Sequence, residues 1–182
     1  MKLAKEQGKS LLKLSRDAIS TFLLKRNLEL PNGFDEKRGV FVTLHTFPDY
    51  KLRGCIGFVD DVFSIKEGVV RASRAAAFSD LRFKALRIDE LKRIVISVSL
   101  LTKPELLKKE EVDRINLGED GLIVENGDKK GLLLPIVAVE HNWNYKEFLE
   151  GCCFKAGLNK DAWKEKECKL FKFNTQVFSE AK

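Results

Sequence analysis

Arg53 and Cys55 stand two residues apart in the run Leu52-Arg53-Gly54-Cys55-Ile56-Gly57. On a regular strand side chains alternate between faces, so the guanidinium and the thiol share one. A thiol becomes a nucleophile when a nearby cation or base favours its thiolate. A guanidinium among apolar neighbours must reach solvent, pair with a carboxylate or bind an anion. Glycine inside a strand marks a bulge or the close approach of a backbone or ligand. The run therefore reads as a small anionic site, with Cys55 as candidate nucleophile and Arg53, Gly54 and Gly57 as candidate ligand-binding residues. A packing alternative stays open. Free cysteines commonly fill gaps as small apolar residues, and Arg53 can close an internal ion pair with Asp80 or Glu67.

Two further groups bear on that chemistry. His45 is the candidate base if Pro48-Asp49-Tyr50 forms a three-residue hairpin loop, which sets His45 opposite Arg53 and Thr43 opposite Cys55. A two-residue loop sets Leu44 and Val42 there instead. Asp80 and Arg82 join the candidate ligand-binding residues. Their spacing forbids a pair on a regular helix, so a clamped turn with Asp80 capping the following amides is the structural reading. Cys152 and Cys153 fall on one helix, where one of the two at most faces the core. With Cys168 they match no zinc-binding spacing, and His45 and His141 are the only histidines, so no metal and no particular cofactor is indicated.

The elements that position these residues follow from local signals. Leu3, Leu11, Leu14, Ala18 and Phe22 recur at helical spacing, which predicts a helix from residue 3 to about 27. Two β-rich runs around Pro48-Asp49 predict a hairpin over 39–59, expected at the centre of the larger sheet. Ser64 with Glu67 is a capping box opening a helix over 65–78, whose alanines suit close packing on that hairpin. Ile94–Leu101 reads as a strand, and Pro104 as the start of a short helix to Lys109. Residues 121–126 and 131–134 form a second hairpin. Pro135 opens a helical turn to Glu140. Asn144 with Glu147 caps the next helix, Gly157 ends it, and 168–178 closes the chain as a strand. Hairpins mixed with helices, without regular alternation, give an α+β fold with a largely antiparallel sheet flanked by helices.

Composition bounds the partners. Hydrophobic residues at 44% and charged residues at 33% describe a globular chain of one domain or two intimate lobes. No apolar run is long enough to cross a bilayer, and the first residues do not form a signal peptide, so a cytoplasmic location with reduced thiols is expected and no membrane partner. The net charge is +6, and Arg71 to Arg93 holds seven basic residues against three acidic ones. That segment is the alternative function: a non-catalytic interaction module binding protein or nucleic acid through a basic surface.

With these residues placed, the chain resembles the AMMECR family over nearly its whole length, as a single-domain member of archaeal or bacterial type. Leu52-Arg53-Gly54-Cys55-Ile56-Gly57 reproduces the family's hallmark hexapeptide. Gly39 to Leu44 matches the preceding strand; Asp80, Arg82 and Phe83 match an acidic–basic–aromatic motif. Leu133-Leu134-Pro135 with Val137-Ala138, then Phe148-Leu149, Lys155 to Leu158 and Trp163, match later blocks. Leu81 and Ala85 stand where prolines are usual, and Ile136 where a polar residue is. The resemblance implies two unequal lobes with the hexapeptide near a cleft between them. It assigns no reaction. It associates such proteins with a Memo-like protein resembling ring-cleaving dioxygenases and with a radical-SAM protein, as partners in a shared pathway.

Overall fold

The computed structural model describes residues 2–59 and 61–180. The chain divides into two compact units: one runs to Leu100 and takes back the chain end from Gln176, and the other is Leu101–Thr175.

In the first unit, helix α1 (Lys5–Leu23) is followed by strands β1 (Val40–Thr46) and β2 (Leu52–Phe58), helix α2 (Ile65–Phe78) and strand β3 (Ile94–Leu101). The capping box opens α2 as the sequence predicts: Ser64 Oγ accepts from Glu67 N–H, and Glu67 bonds back to Ser64 N–H at 3.1 Å. The alternation in β1 and β3 sets Val40, Val42, Leu44, Ile94, Ile96, Val98 and Leu100 into one core with Leu11, Leu14, Ile19, Val69 and Ala72 of the helices. One polar link crosses it: Ser15 and Ser73 hydroxyls lie 2.7 Å apart, fully buried between α1 and α2.

Strand β1 pairs antiparallel with β2 on one side and with β3 on the other. The hairpin is therefore not central: β2 is the terminal strand. α1 is also shorter than its periodicity suggests. It stops at Leu23 because Lys25 turns to φ 53°, and Phe22 is left half-exposed rather than in the core.

In the second unit, strands β4 (Glu105–Leu107), β5 (Asp120–Asn126), β6 (Lys129–Leu133) and β7 (Lys169–Ser179) pair antiparallel, with β5 between β6 and β7 and with β4 on β7. Residues 105–107 are thus a strand, not the helix that Pro104 suggests. Their backbone finds partners in Leu170 to Lys172, a pairing invisible locally. Helices α3 (Pro135–Glu140) and α4 (Tyr145–Lys155) begin where Pro135 and Asn144 predict. Both Cys152 and Cys153 are fully buried, against the expectation of one at most. Cys152 Sγ points to the Leu122 and Gly131 carbonyls, while Cys153 lies on the side of Trp163. The helix is covered from two directions.

Candidate functional site

The hexapeptide forms β2, and every contact of it described below lies within the first unit. Thr43 stands opposite Cys55, as a three-residue loop requires, but His45 pairs with Leu52. A bulge between Leu44 and His45 on the β1 side leaves Arg53 as the extra residue of β2. Neither simple register holds, and His45 is not opposite Arg53. Half-buried, it flanks Val95 of β3 instead.

Arg53 is committed internally. Its Nε and Nη2 donate to Glu90 Oε1 and Oε2 at 2.8 and 3.1 Å. The partner is neither Asp80 nor Glu67. Glu90 sits in the 3-10 turn Ile88–Arg93, where its Oε2 also accepts Arg87 N–H at 2.8 Å. The Arg53 hydrogen bonds hold the Glu90 carboxyl below its ordinary range despite desolvation. Arg53 Nη1 is buried and has no partner among the described residues. Replacing Glu90 by Gln removes the charge that offsets this buried guanidinium. The expected cost is about 1–3 kcal/mol, read as a lower urea midpoint with unchanged slope.

Asp80 and Arg82 work as one piece. Asp80 Oδ1 accepts from Arg82 N and Nε at 3.2 and 3.0 Å, and Oδ2 accepts from Arg82 Nη2 at 2.8 Å. The expected turn clamp is present, and it reaches further. Oδ2 also accepts Cys55 N–H at 2.9 Å, and Arg82 Nη2 donates to Cys55 O at 3.3 Å. The outward N–H and C=O of an edge strand would otherwise be open to any passing chain. Here an acceptor and a donor from one ion pair stand in for a neighbouring strand. The Arg82 hydrogen bonds, aided by those from backbone amides, hold the Asp80 carboxyl far below the usual carboxylate range. Phe83 underlies the arrangement: the Arg53 and Arg82 guanidinium carbons lie 6.0 and 5.5 Å from its ring centroid.

Gly54 is buried beneath α2, facing the Ala76 carbonyl, while the Phe41 ring occupies the space beside Gly57. The thiol lies on the other face of the sheet from Gly54. Cys55 is half-buried, with Sγ 3.3 Å from Thr43 Oγ1. Thr43 in turn pairs with Ser97 of β3, whose hydroxyl lies 2.9 Å from that of Ser179. A thiol and hydroxyls thus run across the strands on the face away from the helices. The guanidinium that hydrogen-bonds the Cys55 backbone is that of Arg82, while Arg53 is turned to Glu90. Thr43 and Phe83 are within reach of the sequence, through the hairpin register and the acidic–basic–aromatic motif. Glu90 escapes it, hinted at only by the Arg87–Glu90 spacing, typical of a turn that bonds back on itself.

Among the described residues no three His, Cys, Asp or Glu side chains cluster as a metal site would require. No helix among them is long and apolar enough to cross a membrane. A surface depression of about 440 Å³ runs between α1 and residues 27–31 and shares no lining residue with this site.

An antiparallel α+β protein with an arginine-flanked cysteine on an edge strand is the class these features define. The AMMECR1 family model matches residues 12–178, and the chain belongs to that family. It is 41% identical to Protein MJ0810 of Methanocaldococcus jannaschii, over 98% of this chain and 92% of that one. It is 43% identical to a protein of Aquifex aeolicus, over 94% and 92%. The crystal structure of the protein PH0010 from Pyrococcus horikoshii superposes with a TM-score of 0.91 at 40% identity, covering 99% of this chain and 94% of that one.

Proposed function

We propose that this chain is a cytoplasmic small-molecule-binding or enzymatic protein whose working groups are the Cys55 thiol and the Arg82 guanidinium, and whose ligand is anionic. One contrast carries the reading. Cys152, Cys153 and Cys168 are buried, and burial pushes their thiols up, to about 12 for Cys152 and about 11 for Cys153. Such thiols are inert at neutral pH. Cys55 alone of the four is half-exposed, and a guanidinium is held at its residue: Arg82 Nη2 donates to Cys55 O at 3.3 Å. Arg82 is 56% exposed on its side chain and uses Nε and Nη2 internally, which leaves Nη1 for a carboxylate or phosphate. Arg53 and Glu90 position the strand and Phe83, and His45 keeps no base role in this reading.

Competition between two alkylating agents tests it. Free thiols provide the reference ratio of iodoacetate to iodoacetamide labelling. If Arg82 gathers anions beside Sγ, that ratio at native Cys55 rises roughly 5-fold, the effect of about 1 kcal/mol expected for a partly exposed charge pair. Mass-resolved labelling reads each cysteine separately. Arg82→Gln returns the ratio to the reference, and Arg82→Lys keeps most of it. A native ratio equal to that of a short peptide, or Cys55 labelling no sooner than Cys168, removes the proposal.

A further inference from the structure

The basic segment from Arg71 to Arg93 separates in three dimensions. Arg82 is bound to Asp80 and Arg87 to Asp89. Arg71 and Arg74, on the outward stripe of α2, instead lie over aromatic rings. The Arg71 guanidinium carbon is 4.5 Å from the Phe63 centroid, and that of Arg74 is 5.5 Å from Phe22. Phe22 is 52% exposed and stacks on Phe78 at 4.6 Å with 29° between the rings. Just past α1, Lys25 and Arg26 are exposed, and Arg26 N–H donates to Thr21 O at 2.8 Å, folding the chain back toward Phe22. Among the described residues none of Lys25, Arg26, Arg71 and Arg74 forms an ion pair. Glu67, one turn before Arg71, is taken up by the Ser64 cap.

We propose that this outward face of α1 and α2 is a docking surface for single-stranded nucleic acid. Four cations outside any close ion pair attract a phosphate backbone, with Glu67 acting on Arg71 at longer range. A guanidinium held over a ring offers its outer side to a nucleobase while its remaining N–H groups reach phosphates. Arg74 Nε donates to Ala18 O at 3.3 Å, which leaves its Nη groups for that role. A duplex hides its bases and uses only the charge. From Arg71 to Phe78 the surface spans about 10 Å at 1.5 Å per helical residue, so it holds a few nucleotides, weakly and with little sequence preference. This surface is separate from Cys55, so the two readings stand or fall independently.

Fluorescence anisotropy with labelled oligothymidylate and oligouridylate of about 12 nucleotides is the test. With four contacts and about −0.7 per contact for single strands, affinity falls about 50-fold between about 50 and 200 mM salt. In Arg71→Gln/Arg74→Gln that fall shrinks to about 7-fold, because two contacts remain. Gln keeps part of the aliphatic cover over the rings, so the fold is retained. Arg71→Lys/Arg74→Lys keeps the full salt dependence but binds more weakly, since charge is preserved and stacking is lost. No binding at about 50 mM salt, a salt dependence untouched by the Gln pair, or equal binding of a duplex or of polyglutamate overturns the proposal. The last outcome makes the face a general polyanion or acidic-protein surface instead.

Discussion

Gly54→Ala is expected to destabilise the protein by about 3 kcal/mol or more, at the upper end of what overpacking a core costs. A Cβ on Gly54 would sit 2.2 Å from the Ala76 carbonyl oxygen and 3.1 Å from its carbon. Both belong to the backbone of α2, which cannot swing aside as a side chain can. Either β2 lifts away from the helix or α2 shifts, and both disturb the packing of Val40, Val42 and Leu44 beneath α2. For a chain of this size such a loss lowers the melting temperature by about 6–12 °C. A second substitution identifies the cause. If the obstacle were the Ala76 methyl, Ala76→Gly would relieve it. Because the obstacle is the carbonyl, Gly54→Ala/Ala76→Gly recovers nothing and loses about 1 kcal/mol more in helix propensity. Recovery in the double variant would place the contact on the side chain and contradict this geometry.

What could be read beforehand divides along the same line between local and distant causes. The Ser64–Glu67 and Asn144–Glu147 boxes fall within one helical turn, and both helices start where those residues predict. Ile94–Leu101 combines β-branched residues with alternation, and its bounds follow. Residues 105–107 form a strand only because Leu107 meets Leu170 across the fold; locally, Pro104 says helix. Gly54 signals close approach, but only the structure says that the approaching backbone is Ala76 of α2. The site divides the same way. Arg82 within two residues of Asp80 reads as a clamped turn, and it is one. The bulge that moves Arg53 out of register, the Glu90 carboxylate 37 residues away, and the Arg82 bond to the Cys55 carbonyl all depend on long-range contacts that no short window contains.

The clamp on the edge strand makes the other large prediction, and it concerns Asp80. Its side chain is 4% exposed, and four donors converge on its two oxygens: Arg82 N and Nε on Oδ1, Arg82 Nη2 and Cys55 N on Oδ2. Only a group that accepts at both ends fits. An amide does not, because either orientation of Asn sets its NH₂ against two donors. Asp80→Asn therefore costs at least as much as Asp80→Ala, about 2–4 kcal/mol each. Arg82 is half-exposed and recovers water, so the loss stays below that of a fully buried pair, while Cys55 N–H is left unsatisfied. The pH dependence follows from the sign of the shift. A carboxyl near 3.9 in the unfolded chain and far lower in the folded one adds stability that is complete above about pH 5. That stability is lost as pH falls through the acid range toward the folded value. Urea midpoints measured from pH 7 to pH 2 should drop more steeply for the native protein than for either variant, and the curves should converge at the acid end. A near-neutral Asp80→Asn, or variants that fall in parallel with the native protein, would mean that the edge of β2 is held by something other than this carboxylate.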